Sequence, residues 1–212
     1  MKTLIYKYLS IIFIFSLILL LPLKSNDTII PISKTSDEYL ILVNKTNPLD
    51  KNYIPANLID INNIDYIERK NETMQINSDV YYYLILLFEE AQKHDLCLTV
   101  FSAYRSYEKQ ESIWNKNKDE LYVAKPGYSE HQTGLAVDLS RRDIGLTNNF
   151  MYTKEYIFLK NNAHKFGFIN RYPENKMLVT GYLFEPWHYR FVGISHAKAI
   201  YENNLTLEEY LS

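Results

Sequence analysis

His131 and Asp138 lie seven residues apart in Ser129-Glu130-His131-Gln132-Thr133-Gly134-Leu135-Ala136-Val137-Asp138, and Glu185 and His188 lie three apart in Glu185-Pro186-Trp187-His188. Catalytic zinc takes three nitrogen or oxygen ligands from the protein and keeps one position open for water. His131, Asp138 and His188 would supply two imidazoles and a carboxylate. Glu185 can then face that water without ligating the metal and take a proton whose pKa the ion lowers towards ~7. Each spacing alone is a weak signal, and the same residues also read as satisfied structural polar groups. A third cluster is Ser102-Ala103-Tyr104-Arg105-Ser106. Neither Ser102 nor Ser129 stands in a Ser-x-x-Lys or Gly-x-Ser-x-Gly setting, which argues against a serine acyl-enzyme.

These residues need elements to hold them. Seven residues along one extended strand would place His131 and Asp138 on opposite faces. Gly134 permits a bend, so His131 can approach from a loop while Asp138 projects from a strand over Gly134–Leu139, anchored by Leu135, Ala136, Val137 and Leu139. Pro186 stiffens the turn between Glu185 and His188.

Asn77 or Ser78 is suited to cap a helix from Asp79 to about His94, with Val80, Tyr83, Leu84, Leu87, Phe88 and Ala91 on one stripe. Leu96–Phe101 reads as a strand in which Cys97 is a small buried hydrophobe. Ser106 caps a second helix to about Lys118, and Thr153 a third, with Tyr156, Leu159, Ala163 and Phe166 inward and Gly167 as its stop. Phe168–Arg171, Met177–Thr180 and Tyr182–Phe184 read as strands. Ser195 caps a final helix, and Thr206-x-x-Glu209 forms a capping box. Tyr39–Val43 reads as a strand or extended arm, Tyr53–Leu58 as irregular, and Asn57–Asn71 takes no assignment. Helices and strands mix without regular β-α-β alternation, so the fold class is α+β.

The composition narrows the function. With 47% hydrophobic and 15% aromatic residues in 212, the chain can bury one core and is not disordered. Residues 1–25 hold three lysines and no acid, so the net charge of −2 becomes −5 without them. That balance argues against a nucleic-acid partner, and the 19 tyrosines read as packing. Lys2 and Lys7 precede the apolar run Leu9–Leu21, which ends at Pro22, Leu23, Lys24 and Ser25. This is the plan of a signal peptide or an uncleaved anchor. We expect residues 1–25 to direct export, 26–38 to form a linker and 39–212 to form the domain. The protein would lie outside the cytoplasm, free or tethered to the outer face of a bacterial membrane. Cys97 is the single cysteine, so the fold stands without an internal disulfide. His94, His164 and His196 read as structural or solvent-facing.

Longer strings add to this reading. Leu42-Val43-Asn44-Lys45-Thr46-Asn47-Pro48-Leu49, Ser-Ala-Tyr-Arg-Ser with Gln110, Pro126-Gly127-Tyr128-Ser129-Glu130-His131, Thr133 through Leu139, Phe166-Gly167-Phe168, Arg171-Tyr172-Pro173, Thr180-Gly181-Tyr182 and Glu185-Pro186-Trp187-His188 follow in order. Together, over about Leu42 to Gly193, they resemble the VanY-type zinc D,D-carboxypeptidases, a group related to VanX dipeptidases and the hedgehog signalling domain. The resemblance implies a small antiparallel sheet flanked by helices, one Zn2+ held by His131, Asp138 and His188, and Glu185 as general base. It implies a peptidoglycan stem peptide as substrate, cut before its terminal D-alanine. Arg105 would stabilise the oxyanion, against a reading as a surface ion pair. Ser129, Tyr128, Gln110 and Trp187 would line the cleft, with core packing the other reading of Trp187. The expected oligomeric state is a monomer. Two rivals keep the same residues: an L,D-carboxypeptidase acting on tetrapeptide stems, and a zinc-containing wall-binding module without turnover, which an intact Glu185 argues against.

Overall fold

The computed structural model describes residues 36–61 and 73–212; residues 1–35, on which the expected signal or anchor and most of the expected linker fall, and residues 62–72 lie outside the described residues. Among the described residues no helix is long and apolar enough to cross a membrane. The chain enters through a 3-10 turn, Ser36–Tyr39, and Tyr39 is buried edge-on against Phe191. Leu40–Val43 follows as an arm without strand pairing. Its hold is a side chain, because Arg190 Nη2 donates to the carbonyls of Tyr39 and Ile41 at 2.8 Å each.

Strands β1 (Leu58–Asp60) and β2 (Gln75–Asn77) pair antiparallel, so β1 takes up the start of the unassigned Asn57–Asn71 stretch. Helix α1 (Ser78–Gln92) starts where Asn77 accepts a hydrogen bond from the Asp79 amide at 2.9 Å. Its buried stripe is Val80, Leu84, Leu87, Phe88 and Ala91, and Tyr83, half-buried, stacks on Phe191. Strand β3 (Thr99–Ser102) leads to α2 (Tyr107–Lys116), capped by Ser106, and then through a 3-10 turn, Glu130–Thr133, to β4 (Ala136–Ser140). Helix α3 (Lys154–Asn162) is capped by Thr153 and runs on through a 3-10 turn, Ala163–Phe166, to Gly167. Gly167 has φ +84°, and a Cβ there would approach the Phe191 ring to 2.5 Å, so the helix stop and the core fix this glycine together. Strand β5 (Phe168–Asn170), a one-turn helix α4 (Met177–Thr180), β6 (His188–Phe191), α5 (Ile194–Glu202) and α6 (Leu207–Leu211) complete the chain.

The central sheet has the order β3-β4-β6-β5 with every neighbouring pair antiparallel. Side chains alternate between its faces. Val137, Leu139, Tyr189 and Phe191 join the α1 stripe in the main core. Asp138, His188 and Arg190 take the other face, and they too are buried. Mixed helices around a small antiparallel sheet are the architecture that the sequence implied.

Several local expectations are corrected. Met177–Thr180 is a helical turn: Gly181 ends it in the left-handed region (φ +78°), and Leu178 is 95% exposed, with no strand beside it. Tyr182–Phe184 forms no strand. Strand β6 went unforeseen. The last long helix starts after Gly193, one residue before Ser195 could cap it, and has no side-chain cap. Cys97 is exposed: the strand starts only at Thr99, and Cys97 lies in the irregular segment before it.

Candidate active site

The strand register brings the principal groups together. Asp138 on β4 is the direct cross-strand partner of His188 on β6, and Ser102 on β3 pairs with Asp138 on the other side. Directly opposed residues share a face with Cβ atoms ~5 Å apart. His131 arrives from the 3-10 turn, which Gly134 closes at φ +70°. A Cβ on Gly134 would meet Leu58 Cδ2 at 3.0 Å, and the left-handed backbone there strains any residue with a side chain. One nitrogen from each imidazole and one Asp138 oxygen lie within 4.8 Å of one another. His131 Nε2 is 3.2 Å from Asp138 Oδ2, and His188 Nδ1 is 3.1 Å from Asp138 Oδ1.

The surroundings decide which atoms are free to ligate. His131 Nδ1 lies 2.7 Å from the Ala103 carbonyl, so the proton belongs on Nδ1 and the Nε2 lone pair faces Asp138. Burial disfavours a charged His131 and pulls its pKa down. Burial opposes the Asp138 carboxylate as well, but His131 and then His188 outweigh it and hold Asp138 far below the usual carboxylate range. For His188, burial lowers the pKa, yet the hydrogen bond with Asp138 and the Glu130 carboxylate facing the other nitrogen raise it to about 9. An anion flanked by two imidazoles is a nitrogen-oxygen-nitrogen donor set of the kind that zinc takes. The residues fit such an ion.

Glu185 is buried beside them, with Oε2 3.8 Å from His188 Nδ1. Desolvation pushes its pKa up to about 7, with Asp138 adding to the rise against His188 and Arg105. The Glu185–His188 turn is pinned from β5: Asn170 Nδ2 donates to the carbonyls of Glu185 at 2.8 Å and His188 at 3.3 Å. Arg105 is no surface ion pair. Its guanidinium donates to Gln110 Oε1 at 2.8 Å and Ser102 Oγ at 2.9 Å, with Asp138 Oδ2 at 3.8 Å.

A cavity of about 200 Å³ opens over these groups, lined among others by Arg105, Gln110, Ser129, Glu185 and Trp187. Gln110 lines it with both polar ends engaged, since its Nε2 donates to the Ala124 carbonyl at 2.6 Å. It therefore holds Arg105. Trp187 lines the cavity and also packs on the main core. The structure places Tyr128 elsewhere, in an adjoining hollow with Lys45, Glu120 and Lys125. Val123 and Tyr182 line both hollows.

Sequence reasoning passed over Glu130. It is wholly buried, and its Oε1 accepts from Arg171 Nε at 2.8 Å and Arg190 Nη1 at 2.7 Å. The guanidiniums outweigh desolvation and hold it well below the usual carboxylate range. Arg171 also forks onto Glu208, at 2.6 and 2.8 Å. A charged residue directly before a candidate ligand, in a string that leads into the apolar Leu135-Ala136-Val137, was the available signal.

The D-alanyl-D-alanine carboxypeptidase family model, VanY, matches residues 73–194. The YodJ protein of Bacillus subtilis is 41% identical over 184 residues, which cover 82% of this chain and 67% of that protein. The LdcB LD-carboxypeptidase structure superposes with a TM-score of 0.75 at 40% identity, covering 83% of this chain and 86% of that one. A VanY D,D-pentapeptidase from a VanB-type resistance cassette, solved in complex with Zn(II), gives 0.70 at 37% identity over 82% of this chain and 99% of that one. With the family model covering more than half of the sequence, the chain belongs to the VanY D-alanyl-D-alanine carboxypeptidase family.

Proposed function

We propose that this protein is a zinc-dependent D,D-carboxypeptidase that removes the terminal D-alanine from peptidoglycan stem peptides. The observation that carries the reading is the convergence of His131 Nε2, Asp138 and His188 Nδ1, with the Glu185 carboxyl 3.8 Å from His188, at a cavity open to a peptide end. His131, Asp138 and His188 would hold the ion. When bound, it supplies Lewis-acid polarisation of the scissile carbonyl and a water acidified towards neutral pH.

The chain's own groups do the rest. Glu185, buried and poised to exchange a proton near neutrality, accepts one from the attacking water and returns it to the leaving amine. Arg105, fixed by Gln110 and Ser102, offers a preorganised cation to the developing oxyanion. Ser129 and Trp187 line the substrate's path, and Tyr128 would meet the peptide only beyond that pocket. Residues 1–25 would carry the domain out of the cytoplasm.

D-alanine release from a pentapeptide ending in D-Ala-D-Ala, followed with and without a chelator, tests the reading. Turnover that survives complete metal removal overturns it. The likeness to LdcB favours a second reading, L,D-cleavage of tetrapeptides, and faster release from the tetrapeptide would select it.

A further inference from the structure

We infer that Glu130 is a positioning residue for the candidate metal centre: it holds the proton of His188 on Nε2 and so leaves Nδ1 as the ligand atom. The inference rests on the metal reading above. Nδ1 is the nitrogen that meets Asp138 Oδ1 at 3.1 Å and Glu185 Oε2 at 3.8 Å, and so it faces the site. A neutral imidazole that ligates through Nδ1 must carry its hydrogen on Nε2. That atom points back into the protein, where Glu130 Oε2 lies 3.5 Å away.

This distance is long for a formed hydrogen bond. Yet among the described residues Nε2 and Oε2 are both buried and neither has any other hydrogen-bond partner. One is a donor and the other an acceptor, they face each other, and buried polar groups pair where a partner exists. Glu130 cannot turn away, because Arg171 and Arg190 both grip Oε1. Arg190 is tied in turn to the Tyr39 and Ile41 carbonyls, and Arg171 to Glu208. The oxygen left over is the one aimed at His188.

The two ligand rings thus present opposite nitrogens, each chosen by the acceptor behind it. For His131 that acceptor is the Ala103 carbonyl, which selects Nε2. For His188 it is a carboxylate, which selects Nδ1 and also raises the basicity of the ring.

Glu130→Gln sharpens this to one atom. With its carbonyl oxygen held by the two arginines, the Gln amide turns an N–H towards His188 Nε2. The favoured proton position becomes Nδ1, where it competes with the metal.

Two measurements on the full-length chain test the inference. Imidazole 15N spectra of the zinc-loaded wild type report which His188 nitrogen carries hydrogen, and competition with a chromophoric chelator gives zinc affinity. We expect an Nε2–H tautomer, and zinc binding weakened ~10–100-fold in Glu130→Gln, the usual scale for a lost outer-shell partner. Glu208→Gln loosens Arg171 without touching His188, and should leave zinc affinity unchanged within about twofold. Zinc bound with hydrogen on His188 Nδ1, or equal affinity in Glu130→Gln and wild type, overturns the inference alone. Should Glu130→Gln not fold, the wild-type spectrum decides. Wild type that takes up no zinc at all overturns the metal reading, and the inference with it.

Discussion

On one side of the His188 ring lie Asp138, His131 and Glu185; on the other lie Glu130, Arg171, Arg190 and Glu208. Both groups are buried, apart from the partly exposed Glu208, but they are built differently. The rear group matches two carboxylates with two guanidiniums, and Glu130 and Glu208 accept charge-assisted bonds of 2.6–2.8 Å. The front group converges nitrogen and oxygen lone pairs on one point and keeps Glu185 in a place where burial opposes its charge. Rear and front share the sheet face carried by β6, through Arg190 and His188. The rear therefore reads as bracing and the front as a reactive centre whose strain the bracing tolerates.

The largest contrast comes from removing one acid at the front. Glu185→Gln should lower turnover by ~10²–10⁴-fold, the usual worth of a positioned general base, with zinc still bound. Stability should move the other way. Glu185 in the folded, metal-free protein titrates at about 7 against 4.5 in the unfolded chain. The folded state then holds a proton that the unfolded state has released. Its contribution to stability is complete below about pH 4.5 and is lost as pH rises through 7. Metal-free Glu185→Gln should outlast wild type at pH 8 by roughly 2–3 kcal/mol, with the gap closing at pH 4. Urea midpoints at the two pH values measure it, and a variant less stable than wild type at pH 8 would erase the front–rear distinction.

At the rear the sign reverses. Arg171→Met takes one of the two guanidiniums from the buried Glu130 and leaves the partly buried Glu208 with Asn44 alone, which should cost ~3–5 kcal/mol. Zinc affinity in whatever folded protein remains should be near that of wild type, since Arg190 still holds Glu130. A fall in affinity with little loss of stability would place Arg171 with the front group.

This division was only half visible in the sequence. Helix α1 was legible because a cap residue, Asn77, precedes a clean stripe, and α2 and α3 because Ser106 and Thr153 do the same. His131, Asp138, Glu185 and His188 stood out because their types carry chemistry and because they lie in long strings. The rear group did not, because Glu130 finds its arginines 41 and 60 residues later and no local spacing records such pairs. Strand β6 was hidden for the same reason. His188-Tyr189-Arg190-Phe191 alternates correctly, but two of its inward residues are polar, buried by partners that the sequence places far away. Met177–Thr180 misled in the opposite way: its apolar residues Met177, Leu178 and Val179 are exposed and find no strand to join.

The smallest effect tests how local the bracing is. Glu208 sits in α6, whose start is fixed by the Thr206–Glu209 capping box: Thr206 Oγ1 accepts from the Glu209 amide at 3.2 Å, and Glu209 Oε2 from the Thr206 amide at 2.8 Å. Glu209 also receives Lys176 at 2.9 Å, which ties α6 to the turn before α4. Thr206→Ala removes one half of the box and should cost about 1 kcal/mol, read as a shift in urea midpoint at constant slope. Arg171 reaches Glu208 by two bonds, and Glu208 meets Asn44 as well, so the carboxylate has anchors besides the helix cap. Zinc affinity should then be untouched. A loss approaching that of Arg171→Met would mean that the cap of one short helix positions Glu208, and that the rear group's strength is borrowed from a single turn of backbone.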